Sequence, residues 1–134
     1  MKQTSILKGI TKTSKARILV VDDDPDITLT FRIGLEKNGF VVTVFNDPLK
    51  ALSTFRTGLY DLLLLDVRMP RMNGFELYRA IEKVDNPKVC FITAFVVYYE
   101  SLAENFPKSR VCYFIKKPIE MDKLVDRINT ELNS

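Results

Sequence analysis

The chain contains no histidine, only two cysteines and no long apolar run. Without histidine there is no base for a Ser-His or Cys-His nucleophile. Cys90 and Cys112 each sit inside an apolar run, with no Cys-x-x-Cys spacing, so a zinc site is excluded. Both are expected as buried, reduced thiols. No stretch reaches the roughly 20 apolar residues that a membrane-spanning helix needs. The N-terminus also lacks the apolar core of a secretory signal. These absences lead us to expect a cytoplasmic protein with no membrane partner. We find no internal repeat, low-complexity tract or second domain.

What is present fits one domain: 134 residues, 46% hydrophobic and 28% charged. The net charge of +3 is local. Lys2, Lys8, Lys12 and Lys15 stand in an N-terminal stretch without acids, and setting them aside leaves 16 basic against 17 acidic residues. The basic character therefore describes a tail, residues 1–15, read as a flexible leader. It does not describe a nucleic-acid-binding face, and no direct nucleic-acid partner is expected.

Short β-like runs alternate with helix-length amphipathic stretches over 16–134. Ile18–Asp22, Phe40–Phe45, Leu62–Asp66, Val89–Thr93 and Val111–Ile115 read as strands. Asp24-Pro25 and Asp47-Pro48 are helix starts, with aspartate as cap and proline in the first turn. The segment Ile27, Leu29, Phe31, Ile33, Leu35 alternates like a strand, but its start signal and Asn38-Gly39 stop favour a helix. Phe75–Val84 reads as a helix with Leu77, Ile81 and Val84 on one core stripe. Val96–Phe106 reads as another, and Met121, Leu124, Val125, Ile128 and Leu132 mark the last. Five strands alternating with five helices give an α/β, doubly wound parallel sheet.

Three of the apolar runs end in charge: Asp22-Asp23-Asp24, Asp66 and Lys116-Lys117-Pro118. If the runs are parallel strands, all three clusters emerge at one carboxyl edge, where open α/β sheets bind ligands. Crowded carboxylates repel one another and call for a cation, and a nearby lysine suits an incoming phosphoryl group. This is the makeup of a Mg²⁺-dependent aspartyl-phosphate site. Asp24 reads as a helix cap.

Val-Val-Asp-Asp at 20–23, Leu-Asp-Val-Arg-Met-Pro-Arg-Met-Asn-Gly at 65–74, Ile-Thr-Ala at 92–94 and Lys-Lys-Pro at 116–118 occur in the order found in one family. From about Ala16 onward the chain resembles the receiver domain of two-component response regulators (CheY-like, stand-alone). The resemblance implies a flavodoxin-like five-stranded sheet of order 2-1-3-4-5 with five helices. It makes Asp66 the phosphoacceptor, with Asp22, Asp23, Asp66 and the backbone carbonyl of Arg68 around Mg²⁺. Thr93 would bond a phosphoryl oxygen, and Lys117 would pair with the phosphoryl group or the resting carboxylate. The Lys117-Pro118 bond would be cis.

The chain departs from the family at the switch aromatic, which is Phe114 and has no hydroxyl. Thr93 and Phe114 form the implied switch pair. Val96-Val97-Tyr98-Tyr99 is unusually apolar for a helix start, which makes Tyr98 and Tyr99 a candidate face for a partner or for a homodimer. Arg68 and Phe95 flank the implied acyl phosphate and would restrict attacking water.

The resemblance implies a phosphorylation-dependent signalling switch and not an enzyme, beyond its own Mg²⁺-dependent self-phosphorylation and autodephosphorylation. A histidine kinase or phosphotransfer protein would donate the phosphoryl group. The fourth helix, fifth strand and fifth helix would contact a downstream protein effector. With the last helix running to the C-terminus, output by protein contact is expected. Two rivals stand beside this reading: a receiver-like interaction module independent of phosphate, and a small Mg²⁺-dependent phosphohydrolase.

Overall fold

The computed structural model describes residues 15–94 and 114–134. Five strands are described: β1 (Arg17–Val21), β2 (Val41–Phe45), β3 (Leu62–Asp66), β4 (Lys88–Thr93) and β5 (Ile115–Lys116). Four helices are described: α1 (Pro25–Lys37), α2 (Pro48–Thr54), α3 (Gly74–Glu82) and α4 (Met121–Leu132). All strand pairs are parallel, in the order β2-β1-β3-β4-β5. The expected flavodoxin-like sheet is therefore the observed one. The helix expected over Val96–Phe106, the first residues of the fifth strand, and Phe95, Tyr98 and Tyr99 lie outside the described residues.

Alternation along each strand feeds two cores. Ile18, Val20, Leu62, Leu64, Cys90 and Ile92 pack on one face with Phe31 and Leu35 of α1 and Leu124 and Ile128 of α4. Leu19, Val21, Leu63, Leu65, Val89 and Phe91 pack on the other with Ala51 of α2 and Leu77, Tyr78 and Ile81 of α3. Leu62–Leu65 of the central strand are wholly buried, which is why that strand is apolar on both faces. Each such leucine contributes about 2 kcal/mol of transfer free energy.

The start signals act as their chemistry requires. Asp24 accepts from the Asp26 amide at 2.9 Å, and Asp47 from the Leu49 amide at 2.9 Å. Asn73 and Glu76 form a reciprocal capping box at the head of α3.

The alternating segment is indeed helical. Phe31 and Leu35 face the core, while Leu29 and Ile33 are about half exposed, at 56% and 48%. The apparent strand period arose from superposing a core face on an exposed apolar one.

Two expectations are corrected. Val84 is 58% exposed, because α3 ends at Glu82 and the stripe does not continue through the turn. Cys90 is disulfide-bonded and not a free thiol, while Cys112 lies outside the described residues. Cysteine spacing along the chain does not reveal such a bridge, because bridging depends on proximity in space.

Candidate functional site

The sheet ends where the charged clusters begin. Asp22 follows β1 directly and is buried, held on three sides. Its amide donates to Phe45 O at 3.2 Å. Its Oδ1 accepts from the Asp24 amide at 2.9 Å, and its Oδ2 from Lys117 Nζ at 2.7 Å. Asp23 is exposed beside it. Asp66, the last residue of β3, is only 5% exposed. One carboxylate oxygen from each of Asp22, Asp23 and Asp66 can be chosen so that all three lie within 4.8 Å of one another.

Lys117 closes the cluster. Its Nζ bridges Asp22 Oδ2 at 2.7 Å and Asp66 Oδ1 at 3.0 Å. Its backbone amide donates to Thr93 O at 2.9 Å, which fixes the lysine against the end of β4. The Lys117-Pro118 bond is cis, as expected. Thr93 is buried at the end of β4, one position beyond the residue that pairs with Asp66.

The electrostatics follow from this packing. Burial pushes the Asp66 carboxyl up to about 6; the charge of Asp22 adds to the rise, Lys117 opposes it, and Asp23 adds a little more. Burial works against the Lys117 ammonium, but hydrogen bonds and charges from Asp22 and Asp66 outweigh it, so its pKa is raised. An all-oxygen set of three carboxylates suits a hard divalent cation such as Mg²⁺.

The β3–α3 connection is shaped to let this happen. Gly74 donates its amide to Val67 O at 3.0 Å, and its Cα lies so close to the Asp66 carbonyl that a Cβ would collide with it. Arg71 adopts a left-handed φ of 70° and pairs with Asp47 Oδ2 at 2.8 Å, tying this loop to the head of α2. Arg68 is exposed and lines a cleft with Val67, Met69, Pro70 and Asn73.

A profile of the response regulator receiver domain matches residues 18–129. The chain belongs to the receiver-domain family. Curated relatives agree. It is 32% identical over 126 residues to the DNA-binding response regulator MtrA of Mycolicibacterium smegmatis, covering 90% of this chain and 52% of that protein. It is 33% identical over 117 residues to the response regulator receiver protein CpdR of Brucella abortus, covering 87% of this chain and 96% of that one. This receiver domain thus spans about half the length of the MtrA proteins it matches. Among solved structures, the non-phosphorylated HemR receiver domain from Leptospira biflexa superposes with a TM-score of 0.75 at 27% identity, covering 90% of this chain and 96% of that chain. The Francisella response regulator 1452 receiver domain gives 0.73 at 27% identity, covering 89% and 98%. Family membership supports a phosphorylation-based signalling role. Among the described residues, no helix is long and apolar enough to cross a membrane.

The receiver fold gathers Asp22, Asp23, Asp66, Thr93 and Lys117 at one edge. Phe114 lies in an aromatic cluster. Its ring centroid is 5.8 Å from Phe91 and 6.0 Å from Phe75, edge-on to the latter. Sequence reading missed Phe75 and Phe91 as neighbours of the candidate switch residue. It also missed the Lys117–Asp22 bond and Asn46, whose amide reaches the Asp22 carbonyl. The signal for Asn46 was its place at the end of a strand adjoining β1.

Proposed function

We propose that this domain is a phosphorylation-dependent switch that accepts a phosphoryl group on Asp66. The observation that supports it most is the Lys117 ammonium held between Asp22 and Asp66 beside the exposed Asp23. Asp22, Asp23, Asp66 and the backbone carbonyl of Arg68 would hold Mg²⁺, which when bound neutralises the charge that develops on the transferred group. An Asp66 carboxylate oxygen attacks phosphorus, the bond from phosphorus to the donor breaks, and the donor leaves with the electron pair. Lys117 then exchanges a carboxylate partner for a phosphoryl oxygen. Thr93 turns its hydroxyl toward the same group.

A histidine kinase or phosphotransfer protein supplies the phosphoryl group, and a protein effector reads the altered surface. The domain contributes only its own phosphorylation and slow dephosphorylation. Phe114, packed by its ring on Phe75 and Phe91, serves as a switch residue through packing alone. Residues 1–15 act as a tail to a receiver domain at 16–134. Tyr98 and Tyr99 offer a further partner face.

The test is intact mass after incubation with acetyl phosphate and Mg²⁺. We expect a phosphoryl adduct on wild type and none on Asp66→Asn. No adduct on wild type would overturn the proposal in favour of a phosphate-independent interaction module.

A further inference from the structure

Asp23 is the exposed member of the carboxylate group. Its direction is set by the backbone just before it. The carbonyl of Asp22 belongs to the Asp22–Asp23 peptide, so whatever holds that oxygen sets the plane from which Asp23 projects. Asn46, at the end of β2, holds it. Asn46 Nδ2 donates to Asp22 O at 2.8 Å and to Thr28 Oγ1 at 2.9 Å. Thr28 is buried, 2% exposed, and its hydroxyl donates onward to Pro25 O at 3.2 Å. One amide group thus ties both ends of the bend from Asp22 to Thr28, with both of its hydrogens used.

We infer that Asn46 is a positioning residue for the cation site: by pinning the Asp22 carbonyl it aims the Asp23 carboxylate into the group formed with Asp22 and Asp66. The inference rests on the proposed function, since it concerns the cation of that reading. Asn46 itself touches no reacting atom. Mg²⁺ requires near-ideal octahedral geometry and tolerates a misdirected ligand poorly, whereas Ca²⁺ accepts flexible coordination. Loss of the tether should therefore weaken Mg²⁺ more than Ca²⁺. Partners that orient metal ligands typically change affinity by about 10–100-fold.

The experiment is calorimetric titration of the full chain with Mg²⁺ and separately with Ca²⁺. Asn46→Ala removes both donors. Asn46→Asp keeps the shape, also removes both, and adds a negative charge that by itself would strengthen cation binding. Both variants are expected to bind Mg²⁺ about tenfold more weakly, with Ca²⁺ weakened by less than about threefold. Thr28→Val, which leaves the Asn46–Asp22 bond in place, should stay within about twofold of wild type for Mg²⁺. If Asn46→Ala does not fold, Asn46→Asp carries the test. Wild-type Mg²⁺ affinity in either folded variant would overturn the inference, as would equal weakening of Mg²⁺ and Ca²⁺. Failure of the wild type to bind Mg²⁺ would instead overturn the reading beneath it.

Discussion

Lys117 Nζ stands 3.0 Å from Asp66 Oδ1, so the proposed phosphoacceptor and its cation are paired before any phosphoryl group arrives. The pair does not fully offset burial, and Asp66 is pushed up to about 6 from an ordinary 3.8. A carboxyl with a raised folded pKa binds its proton more tightly folded than unfolded. Its contribution to stability is present below about pH 4 and is lost as pH rises through about 6. In Mg²⁺-free buffer, the thermal midpoint of wild type should therefore fall relative to Asp66→Asn between about pH 4 and pH 7. Parallel midpoint curves for the two proteins would refute this.

Removing the lysine should separate stability from metal binding. Lys117→Ala leaves Asp22 and Asp66 as neighbouring buried carboxylates with no ammonium between them. We expect a loss of about 3 kcal/mol at neutral pH without Mg²⁺, measured by urea unfolding. We expect Mg²⁺ affinity to rise about tenfold, because the ion no longer competes with the ammonium. Weaker Mg²⁺ binding in Lys117→Ala would contradict this account of the cluster.

Gly74 is the tightest backbone approach at the site. A methyl group there would meet the Asp66 carbonyl, which belongs to the backbone of a central strand and cannot turn aside. Gly74→Ala should cost about 1–3 kcal/mol of stability. It should also slow phosphorylation by acetyl phosphate at saturating Mg²⁺. A variant as stable and as fast as wild type would show that the β3–α3 loop yields freely.

The aromatic cluster should be energetically lopsided. Phe91 is wholly buried and contacts the rings of Phe75, Tyr78 and Phe114. Phe91→Ala should cost about 4 kcal/mol in urea unfolding. Phe114 is only partly buried, and Phe114→Ala should cost about 1 kcal/mol beyond its lost area while removing the proposed read-out. Equal losses would mean that Phe114 is core and not a switch residue.

The sequence alone determined the elements and the chemistry of their ends. Asp-Pro pairs start helices because the aspartate oxygen accepts from a first-turn amide, and proline has no N–H of its own to leave unsatisfied. A leucine run without alternation marks a strand covered on both faces. Charged residues closing such runs mark the carboxyl edge, and from there Asp22, Asp23, Asp66 and Lys117 were legible as one cluster, while Thr93 came only from the family resemblance. Tertiary structure decided the rest, because it depends on distances between residues far apart in the chain. Leu29 and Ile33 could be told from core only once α1 was laid on the sheet. The bridge at Cys90 turned on proximity in space, and the exposure of Val84 on where α3 ends, neither of which periodicity records. Asn46 became part of the site only because β2 lies beside β1, which brings its amide to the carbonyl of Asp22, 24 residues earlier.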